Sequence, residues 1–288
     1  MKHLFSLSLL LFFFLCSGNA DAKSRHIFVR TPGTLPELVG ERQKNKLTGL
    51  AVEGALNGTD LRFLREMAGS DFRQQPTEGR LRTLDLSRAT FTSGGEAYIF
   101  KDESQSIEGG ALTLPPFAFR SCRLEQVVLP ERMDTIGIGA FEYSALRSIR
   151  IPEQSVVMGW AFNRCDELSE VEFPQHLVEL GHNCFRDCGN LRTLQMHDVE
   201  FLPYHVFENV TGLEEIIIDG TLYHVDGWFC NSCPRLRRIV FSGIVLTTGG
   251  QPIASNCPSL ADITFSGICM PTHFGSVEDC PLMQRCNV

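Results

Sequence analysis

Cysteine is the residue type of this sequence with the widest choice of chemistry. Cys230 and Cys233 form a C-x-x-C pair, and Cys184 and Cys188 form a second close pair. Such pairs bind zinc or exchange disulfides, but the sulfurs of one zinc site each lie about 2.3 Å from the metal. On the repeat described below the pairs are two units apart, which is roughly 10 Å at a strand spacing of about 4.8 Å. The sequence therefore predicts no metal and no cofactor, and the absence of a βαβ unit around the C-x-x-C pair argues against a redox site.

The histidines do not form a catalytic pattern. They fall at different positions of the repeat, and neither an H-E-x-x-H segment nor a Ser-His-Asp order is evident. No glycine-rich phosphate loop occurs. We therefore predict no catalytic residue and no enzymatic activity. The histidines interpreted as surface or turn residues are His176, His182, His197, His205, His224 and His273.

A repeat of 21 to 25 residues must position all of these side chains. Residues 168–185 read L-S-E-V-E-F-P-Q-H-L-V-E-L-G-H-N-C-F, and this segment returns in altered form along the chain. A fixed period in the twenties is typical of a solenoid, whose units bury their apolar sides only by stacking on one another. The residues that mark one place in each unit are Phe119, Phe141, Phe162, Phe185, Phe207 and Phe229, followed by Ala254 and Val277.

An apolar triplet follows each marker and predicts one strand per unit. Its members occupy positions one, four and six, as do Leu168, Val171 and Phe173. We expect these side chains to point inward and the residues between them to point outward, as the alternation of a strand requires. Function must then be sought on the outer surface of the coils, because stacked triplets leave no central pocket.

Three motifs of the repeat resemble those of the BspA-type leucine-rich repeat, a family of bacterial surface and secreted proteins. They are L-x-x-V-x-F-P at residues 168–174, I-G-x-x-A-F at residues 136–141, and the C-x-x-L link at residues 188–191. The resemblance covers residues 112–288 closely and residues 47–87 in the ordinary leucine-rich form. It implies a right-handed curved solenoid that contacts protein or glycan, in a family in which some members are adhesins.

The predicted fold is therefore an α/β solenoid with parallel strands. About eight BspA-type coils at residues 112–288 follow an N-terminal α/β cap at residues 23–111. Strands of this cap are predicted at residues 47–52 and 81–86. A terminal repeat needs such a cover because the open end of its core is otherwise exposed.

Two helices are predicted in the cap. One is capped by Thr59 or Asp60 and ends at Gly69, and the other begins at Thr34 with a proline in its first turn. Residues 87–110 then form an irregular insertion, from which we expect three residues to pack on the edge of the core: Tyr98, Ile99 and Phe100.

Residues 1–22 have the features of a secretory signal peptide. A basic start precedes an apolar run at residues 4–15, and Ala20-Asp21-Ala22 has the small-x-small pattern of a cleavage site. The run is too short for a permanent anchor, so we predict no transmembrane span. We expect an exported protein, periplasmic, surface-bound or secreted, after cleavage near Ala22. Lipoprotein processing at Cys16 is the less favoured alternative, because Leu15 stands where a small residue is normally needed.

The charge of the chain argues against a nucleic-acid partner. The formal net charge is −8 at pH 7. Proteins that bind DNA or RNA need a clustered basic face to neutralise phosphates. We therefore predict a protein or glycan partner and no nucleic acid.

Most of the cysteines recur at one position of the repeat. Of the eleven in the chain, ten remain after Cys16. An even number in an exported chain favours disulfides, whereas a shared repeat position favours a buried column of small apolar residues, which we prefer. Cys269 with Cys280 or Cys286 is the candidate disulfide. The predicted column contains Cys122, Cys165, Cys188, Cys233, Cys257 and Cys280.

The outward residues of the predicted strands are the candidate partner-binding surface. Their charges alternate in sign from unit to unit, so they are interpreted first as a self-neutralising ladder that fixes the register of the coils. The functional interpretation is a recognition surface centred on Ile217 and Val240 and rimmed by Glu215 and Arg238. The predicted contact residues are Val128, Arg150, Glu172, Gln195, Glu215, Ile217, Arg238, Val240 and Thr264.

Two other functions remain open. The last predicted strand has no cap after it, and an uncovered strand edge pairs readily with another chain, which predicts a structural role as a homodimer or filament. A third interpretation is a glycan-binding module of a nutrient-uptake system. Aromatic residues at the bends of the coils are expected to pack on the core: Trp160, Trp228, Tyr143, Tyr204 and Tyr223.

Overall fold

The structure of the protein is a computed structural model that describes residues 24–101, 103–108, 110–269, 277–282 and 285–287. For residues 104, 269 and 285–287 the description is limited to the backbone. The predicted signal peptide at residues 1–22, with Cys16, lies outside the described residues.

The chain forms a parallel-strand solenoid of about 11 turns, which confirms the predicted fold class. One side of every turn contributes a strand to what is called the first sheet, in which neighbouring strands come from successive turns. It consists of two hydrogen-bonded segments, one formed by its first six strands and the other by its last five. The side of this sheet that points outward is called the strand face. Strands are numbered in chain order, and this sheet contains β1 (Ser24–Val29), β2 (Gly49–Leu56), β3 (Thr83–Phe91), β7 (Gln126–Val128), β9 (Ser148–Arg150), β11 (Glu170–Glu172), β13 (Thr193–Met196), β16 (Glu215–Ile218), β19 (Arg238–Phe241), β22 (Asp262–Phe265) and β25 (Arg285–Asn287).

A second parallel sheet forms another side of the coils, and the sequence reasoning did not predict it. Its strands also follow chain order; the first three and the last contain two residues each, and the four between them contain five. Inward residues such as Ile136, Leu180 and Val225 are buried. The strands are β6 (Thr113–Leu114), β8 (Thr135–Ile136), β10 (Val156–Val157), β12 (His176–Leu180), β14 (Asp198–Leu202), β17 (Thr221–Val225), β20 (Ile244–Thr248) and β23 (Ile268–Cys269).

The third side of each coil is a tight turn and is called the turn face. It bends because the backbone is left-handed two residues after each marker, with φ between 51° and 60°. In the sixth coil this count starts from Cys230, for the reason given below. In the later coils short parallel strands form between these bends: β15 (Phe207–Glu208), β18 (Cys230–Asn231), β21 (Ala254–Ser255) and β24 (Val277–Glu278). The left-handed residues are Ser121, Tyr143, Arg164, Asp187, Asn209, Ser232, Asn256 and Asp279.

A ladder of phenylalanine rings runs through the core. The rings of Phe141, Phe162 and Phe185 stack with centroids 5.6 and 5.2 Å apart, and Phe119 and Phe207 extend the ladder at both ends. Offset stacking of this kind adds to the free energy gained by burying the rings. The ladder holds each coil against the next, as a solenoid requires.

The sixth marker was assigned to the wrong residue. Phe207 pairs in register with Cys230, and Cys230 pairs with Ala254, so Cys230 and not Phe229 occupies the marker position. Phe229 lies one place earlier and meets Phe207 edge to face, with the rings 72° apart. The stacking of the ladder changes to an edge-to-face contact at this coil, because its aromatic side chain, Phe229, lies one position earlier in the repeat.

The N-terminal coils carry the helices, which are α1 (Leu35–Val39), α2 (Glu41–Lys44) and α3 (Gly58–Met67). The N-cap of α3 is Asn57, which corrects the predicted Thr59 or Asp60. The Asn57 side chain accepts a hydrogen bond from the Thr59 N–H at 3.0 Å, and Asp60 accepts one from the Asn57 N–H at 3.0 Å. Asp60 therefore completes a capping box from the third helical position. Among the described residues no helix is long and apolar enough to cross a membrane.

The insertion after β3 forms an antiparallel hairpin of β4 (Ile99–Lys101) and β5 (Glu103–Gln105). Tyr98 and Ile99 are buried, as predicted for this segment, and the Tyr98 hydroxyl donates to the Pro116 carbonyl at 2.6 Å. Burial raises the pKa of the Tyr98 phenol, so the group stays protonated and can donate. Phe100 remains 46% exposed, so the prediction was wrong for this residue.

Candidate functional site

The strand face presents two columns of outward side chains between β7 and β22. Register pairs place Gln195 beside Ile217, Ile217 beside Val240, and Val240 beside Thr264. These residues belong to one column together with three others of the predicted set, Val128, Arg150 and Glu172. Glu215 and Arg238 lie in the parallel column two residues earlier on each strand. The parallel sheet thus brings all nine predicted contact residues onto one surface.

Charged residues on this surface pair across neighbouring coils. Arg150 Nε lies 3.3 Å from a Glu172 carboxylate oxygen, and the Arg238 guanidinium pairs with the Glu215 carboxylate. Glu125 forms ion pairs on both sides, with Arg82 Nε at 3.7 Å and Arg147 Nε at 3.6 Å. Exposed pairs of this type contribute about 0–1 kcal/mol each to stability. Their main effect is to fix the register and to leave the surface nearly neutral.

Ile217 and Val240 form an apolar centre within these charges. They are register neighbours on β16 and β19, and both are half-buried. The Glu215–Arg238 pair borders them on one side. On the other side the Gln195 amide donates to Asp219 at 2.7 Å. An apolar centre with a polar rim is the arrangement of many protein interfaces.

The predicted column of cysteines lies in the core. Their side chains are all buried, and Ser144 and Val210 occupy the same place in the two coils that lack a cysteine. The thiols of Cys165 and Cys188 each donate to the carbonyl of a phenylalanine one coil back, both at 3.0 Å. Burial raises the pKa of the Cys165 thiol to about 12. A protonated thiol without access to solvent is a packing group and not a nucleophile.

The cysteines outside this column serve the core as well. Cys184 and Cys230 are buried, and burial raises the pKa of both thiols.

Among the described residues no group of three or more His, Cys, Asp and Glu side chains is placed to hold a metal ion. The candidate disulfide of Cys269 with Cys280 or Cys286 involves side chains outside the described residues and stays a prediction. The same holds for self-association through β25.

Histidines of the C-terminal coils pair with carboxylates. His197 Nδ1 lies 2.5 Å from Asp219 Oδ1, and His224 Nε2 lies 3.0 Å from Asp226 Oδ1. His176 lies between two carboxylates, Glu153 at 3.3 Å and Asp198 at 3.1 Å. A triad would need a nucleophile on the free side of one of these rings. The Thr247 hydroxyl lies 2.7 Å from His224 Nδ1, but it donates its proton to the Tyr223 carbonyl at 2.7 Å, so the imidazole is not placed to take that proton.

The turn face carries an aromatic surface that the sequence reasoning assigned to packing. Three consecutive coils contribute Trp160, His182 and Tyr204, which we call the aromatic row. The Trp160 ring lies 4.2 Å from the His182 ring, and the Tyr204 ring stacks on the other side of His182 at 6.0 Å. Trp160 is 36% exposed and Tyr204 is 50% exposed. These rings contact one another across the three coils.

Polar side chains follow the left-handed positions of the same face. Arg164 donates from Nε to Asp187 at 3.1 Å, and the Asn209 amide donates to the other Asp187 oxygen at 2.5 Å. We call Arg164, Asp187 and Asn209 the polar row. On the N-terminal side the Tyr143 ring lies under the Arg164 guanidinium, 5.4 Å from its centre.

A model of the BspA type leucine rich repeat region matches the chain in six copies, at residues 112–237, 154–261 and 197–282. Together these matches span more than half of the sequence. The chain belongs to the BspA-type leucine-rich repeat family. A search of curated proteins found no significant match.

Solved structures of other bacterial leucine-rich repeat proteins are similar at low sequence identity. A leucine-rich repeat protein from Bacteroides ovatus is 16% identical, with 71% of this chain and 66% of that one covered and a TM-score of 0.41, so the match spans slightly less than two thirds of that protein. A leucine rich cell surface protein from Faecalibacterium prausnitzii is 16% identical, with 77% and 79% covered and a TM-score of 0.26. The pneumococcal vaccine antigen PcpA is 11% identical, with 90% and 81% covered and a TM-score of 0.29.

Membership of the BspA-type family suggests a binding role rather than catalysis. The described geometry of this BspA-type chain agrees with that role, since its nucleophilic thiols are buried and its extended surfaces are the strand face and the turn face. Repeat arrays use such surfaces to contact other macromolecules.

Proposed function

We propose that the protein is an exported, adhesin-like binding protein that catalyses no reaction and contacts a protein or glycan partner through its strand face. The observation that carries the proposal is the apolar centre of Ile217 and Val240, held in register across two coils and bordered by the Glu215–Arg238 ion pair. Export is supported by the signal-peptide pattern of residues 1–22.

The chemistry of the strand face favours a protein over a glycan as its partner. Between β7 and β22, none of the described outward side chains of the first sheet is an exposed large hydrophobic residue. The surface offers half-buried β-branched residues and charge pairs. Such a surface matches the apolar centre and the polar rim of another protein better than it matches a sugar ring, which needs an open aromatic face.

Direct binding measurements test this proposal. The mature chain is immobilised and tested by surface plasmon resonance against host extracellular-matrix proteins and a glycan array. For each partner that binds, the variant Ile217→Ser/Val240→Ser is expected to lose roughly tenfold or more in affinity, since truncation of an interface centre usually costs more than 1 kcal/mol.

The matched control lies on β20, a strand of the second sheet. Ile244→Ser/Leu246→Ser removes two outward apolar residues, 36% and 37% exposed, from β20. This control is expected to leave the affinity unchanged. Equal losses in both variants, or no loss in the first, would place the contact away from the strand face. Turnover in an activity screen, abolished by one surface substitution, would contradict the non-catalytic role.

Self-association is the alternative role and is distinguished by light scattering. β25 stands last in the order of its sheet, and the edge strand of a sheet is where another chain can pair. A concentration-dependent dimer that Asn287→Pro disrupts would favour assembly, because proline removes a donor from the strand. A monomer at all concentrations would favour the binding role.

A further inference from the structure

We propose that the turn face between Tyr143 and Asn209 is a carbohydrate-binding site for a neutral oligosaccharide, separate from the strand face. The site consists of the aromatic row and the polar row, which run along the same three coils. Trp160 and Tyr204 would stack on sugar rings, and the side chains of the polar row would bind hydroxyl groups.

Exposure of the aromatic row is the first observation that supports a ligand. The other tryptophan of the chain, Trp228, is tied down by a hydrogen bond of 3.2 Å from its indole nitrogen to Glu278. Trp160 has no such bond among the described contacts, and its ring lies 4.2 Å from the His182 ring. An amphipathic ring with one open face is suited to bind a partner that is apolar on one side and polar on the other.

Two buried amide oxygens beside Trp160 are the second observation. Asn163 is only 7% exposed, and its side-chain nitrogen donates to Glu142 at 2.9 Å while its side-chain oxygen has no partner. Asn183 holds the position in its coil that Trp160 holds in the coil before, and its buried side-chain oxygen is also unpartnered. Buried polar atoms in native proteins nearly always find a partner. Both oxygens are closed to solvent, so a sugar hydroxyl would reach them only after the amide side chains rotate outward.

A glycine shapes the aromatic row. A Cβ atom on Gly159 would lie 2.9 Å from His182 Cε1 and 3.1 Å from the His182 carbonyl oxygen. Any larger residue would therefore push the His182 ring away from Trp160. The absence of a side chain at Gly159 therefore leaves room for the His182 imidazole, which lies between the exposed rings of Trp160 and Tyr204.

The charge balance of the face selects a neutral ligand. Arg164 pairs with Asp187 at 3.1 Å, and Arg186 pairs with Glu208 at 3.5 Å. Formal charges therefore cancel along the polar row. A polyanion such as a nucleic acid or a sulfated glycan would need an excess of cations here. Planar carboxylate, amide and guanidinium groups suit the paired hydroxyls of a neutral sugar.

The spacing of the rings suggests how the ligand lies. Each coil advances the structure by about 4.8 Å, so Trp160 and Tyr204, two coils apart, are separated by roughly 10 Å along the axis. One coil is thus close to the length of one pyranose unit in an extended chain. We infer that an oligosaccharide of at least three units lies along the coil axis, with its first and third rings on Trp160 and Tyr204.

Tryptophan fluorescence provides a direct test. The chain contains two tryptophans, so in a Trp228→Phe variant Trp160 is the sole emitter. This variant is titrated with unsulfated cello-, xylo-, malto- and manno-oligosaccharides, from the disaccharide to the hexasaccharide. We expect one series to change the emission of Trp160 and to protect it from iodide quenching. Affinity is expected to rise up to the trisaccharide or tetrasaccharide and then to level off.

Substitutions at the rings complete the test by calorimetry. In an otherwise native chain, Trp160→Ala and Tyr204→Ala are each expected to weaken sugar binding by roughly tenfold or more. Tyr223→Ala is the matched control, because Tyr223 is 51% exposed but lies on the second sheet. The control should bind as the native chain does, and circular dichroism checks that every variant is folded.

The outcomes separate this site from the strand face. The strand-face variant Ile217→Ser/Val240→Ser should bind the sugar normally, so either proposal can fail while the other stands. Absence of any response in all four oligosaccharide series would overturn the proposal. So would binding that survives both ring substitutions, or binding of sulfated glycans or proteins alone at this face.

Discussion

Arg65 is a buried cation that joins the helical cap to the first BspA-type coil. Its guanidinium donates to the carbonyls of Phe117 and Ala118, both at 3.1 Å, and to the Ser70 hydroxyl at 3.3 Å. Burial lowers the pKa of this guanidinium, because desolvation disfavours its charged form. Backbone carbonyls therefore replace the water that the cation loses.

Replacement of this cation is expected to destabilise the cap. Arg65→Met keeps much of the side-chain length but takes the donor from the Ala118 carbonyl and one of the two donors from the Phe117 carbonyl, which still accepts from the Arg120 N–H. We expect the free energy of unfolding in urea to fall by about 3 kcal/mol, the range for a lost bond to a charged group together with unsatisfied acceptors. Arg62→Met removes an exposed cation from the same helix, whose pair with Glu96 is 2.7 Å long, and should cost under about 1 kcal/mol. Equal effects of the two changes would contradict the bridging role.

Single residues show where sequence reasoning failed. The marker was placed on Phe229 because aromatic residues fill the preceding markers, yet the backbone register selects Cys230. Once this shift is made, Cys233 takes the place of the earlier column cysteines without displacement. The cap of α3 was missed for a similar reason, since Asn57, Thr59 and Asp60 are all suitable types and only the backbone path shows which one precedes the first turn.

At the scale of the elements, the first sheet was predictable and the second was not. The triplets of the first sheet repeat in every coil, and their buried positions alternate as a strand requires. Strands such as β8 and β10 contain two residues each, which is too short for alternation to be recognised. They are strands because the neighbouring coils supply their partners. This pairing depends on the whole stack and leaves little trace in one segment.

Glycines at the corner before the second sheet set how closely neighbouring coils approach one another in the last part of the solenoid. Gly220, Gly243 and Gly267 precede β17, β20 and β23, and a Cβ on Gly243 would overlap the Gly220 carbonyl oxygen. Gly243→Ala should therefore force the coils apart and lower the free energy of unfolding by about 2–3 kcal/mol, the usual cost of overpacking. Gly110→Ala is the control, because no atom lies within 4 Å of its added methyl group. Urea unfolding of both variants measures the difference, and similar midpoints would show that the corner adapts.

The buried thiols couple the stability of the whole molecule to alkaline pH. Burial raises the pKa of five cysteines well away from the chain ends, whereas the thiol of an unfolded chain titrates near about 8.5. The thiols therefore stabilise the folded state fully below the unfolded pKa, and this contribution is lost as the pH rises towards the folded pKa. The five are Cys122, Cys165, Cys184, Cys188 and Cys230.

Urea unfolding under a reductant at about pH 7.5 and about pH 10 measures this coupling. The Cys165 thiol, whose pKa burial raises to about 12, is expected to account for about 2 kcal/mol of the loss between the two conditions. Cys165→Ala is less stable than the native chain at the lower pH because of its cavity, but its loss on going to the higher pH should be smaller by about 2 kcal/mol. An identical pH dependence in the two proteins would show that the column is open to solvent.

The two proposed binding faces differ in how far the sequence could locate them. The strand face follows from a fixed period, so its nine residues could be named before the structure was known. The aromatic row has no fixed period, because Trp160 lies two residues before its marker while His182 and Tyr204 lie three residues before theirs. Only the path of the backbone around each turn brings these rings together. Distances across the turn face were therefore not accessible from the sequence.

Phe185 lies at the centre of the ring ladder, where one change should divide the solenoid. Its ring lies 5.2 Å from Phe162 and 5.8 Å from Phe207, and it meets Phe173 edge to face at 6.0 Å. Phe185→Ala should cost about 3–5 kcal/mol through the cavity it leaves. In a linear array each coil touches only its neighbours, so this loss falls on one boundary and not on the whole core.

The expected result is that unfolding loses its cooperativity at this boundary. In hydrogen–deuterium exchange with increasing urea, β16, β19 and β22 should lose protection at a lower concentration than β2 and β3, which the buried Arg65 region holds. The native chain should lose protection in these strands together. Phe100→Ala removes a ring that is 46% exposed and should leave the transition unchanged. If the variant unfolded in one transition with all strands exchanging together, the coils would be coupled over a longer range than neighbour contacts allow, and the ladder would not be what joins the two halves.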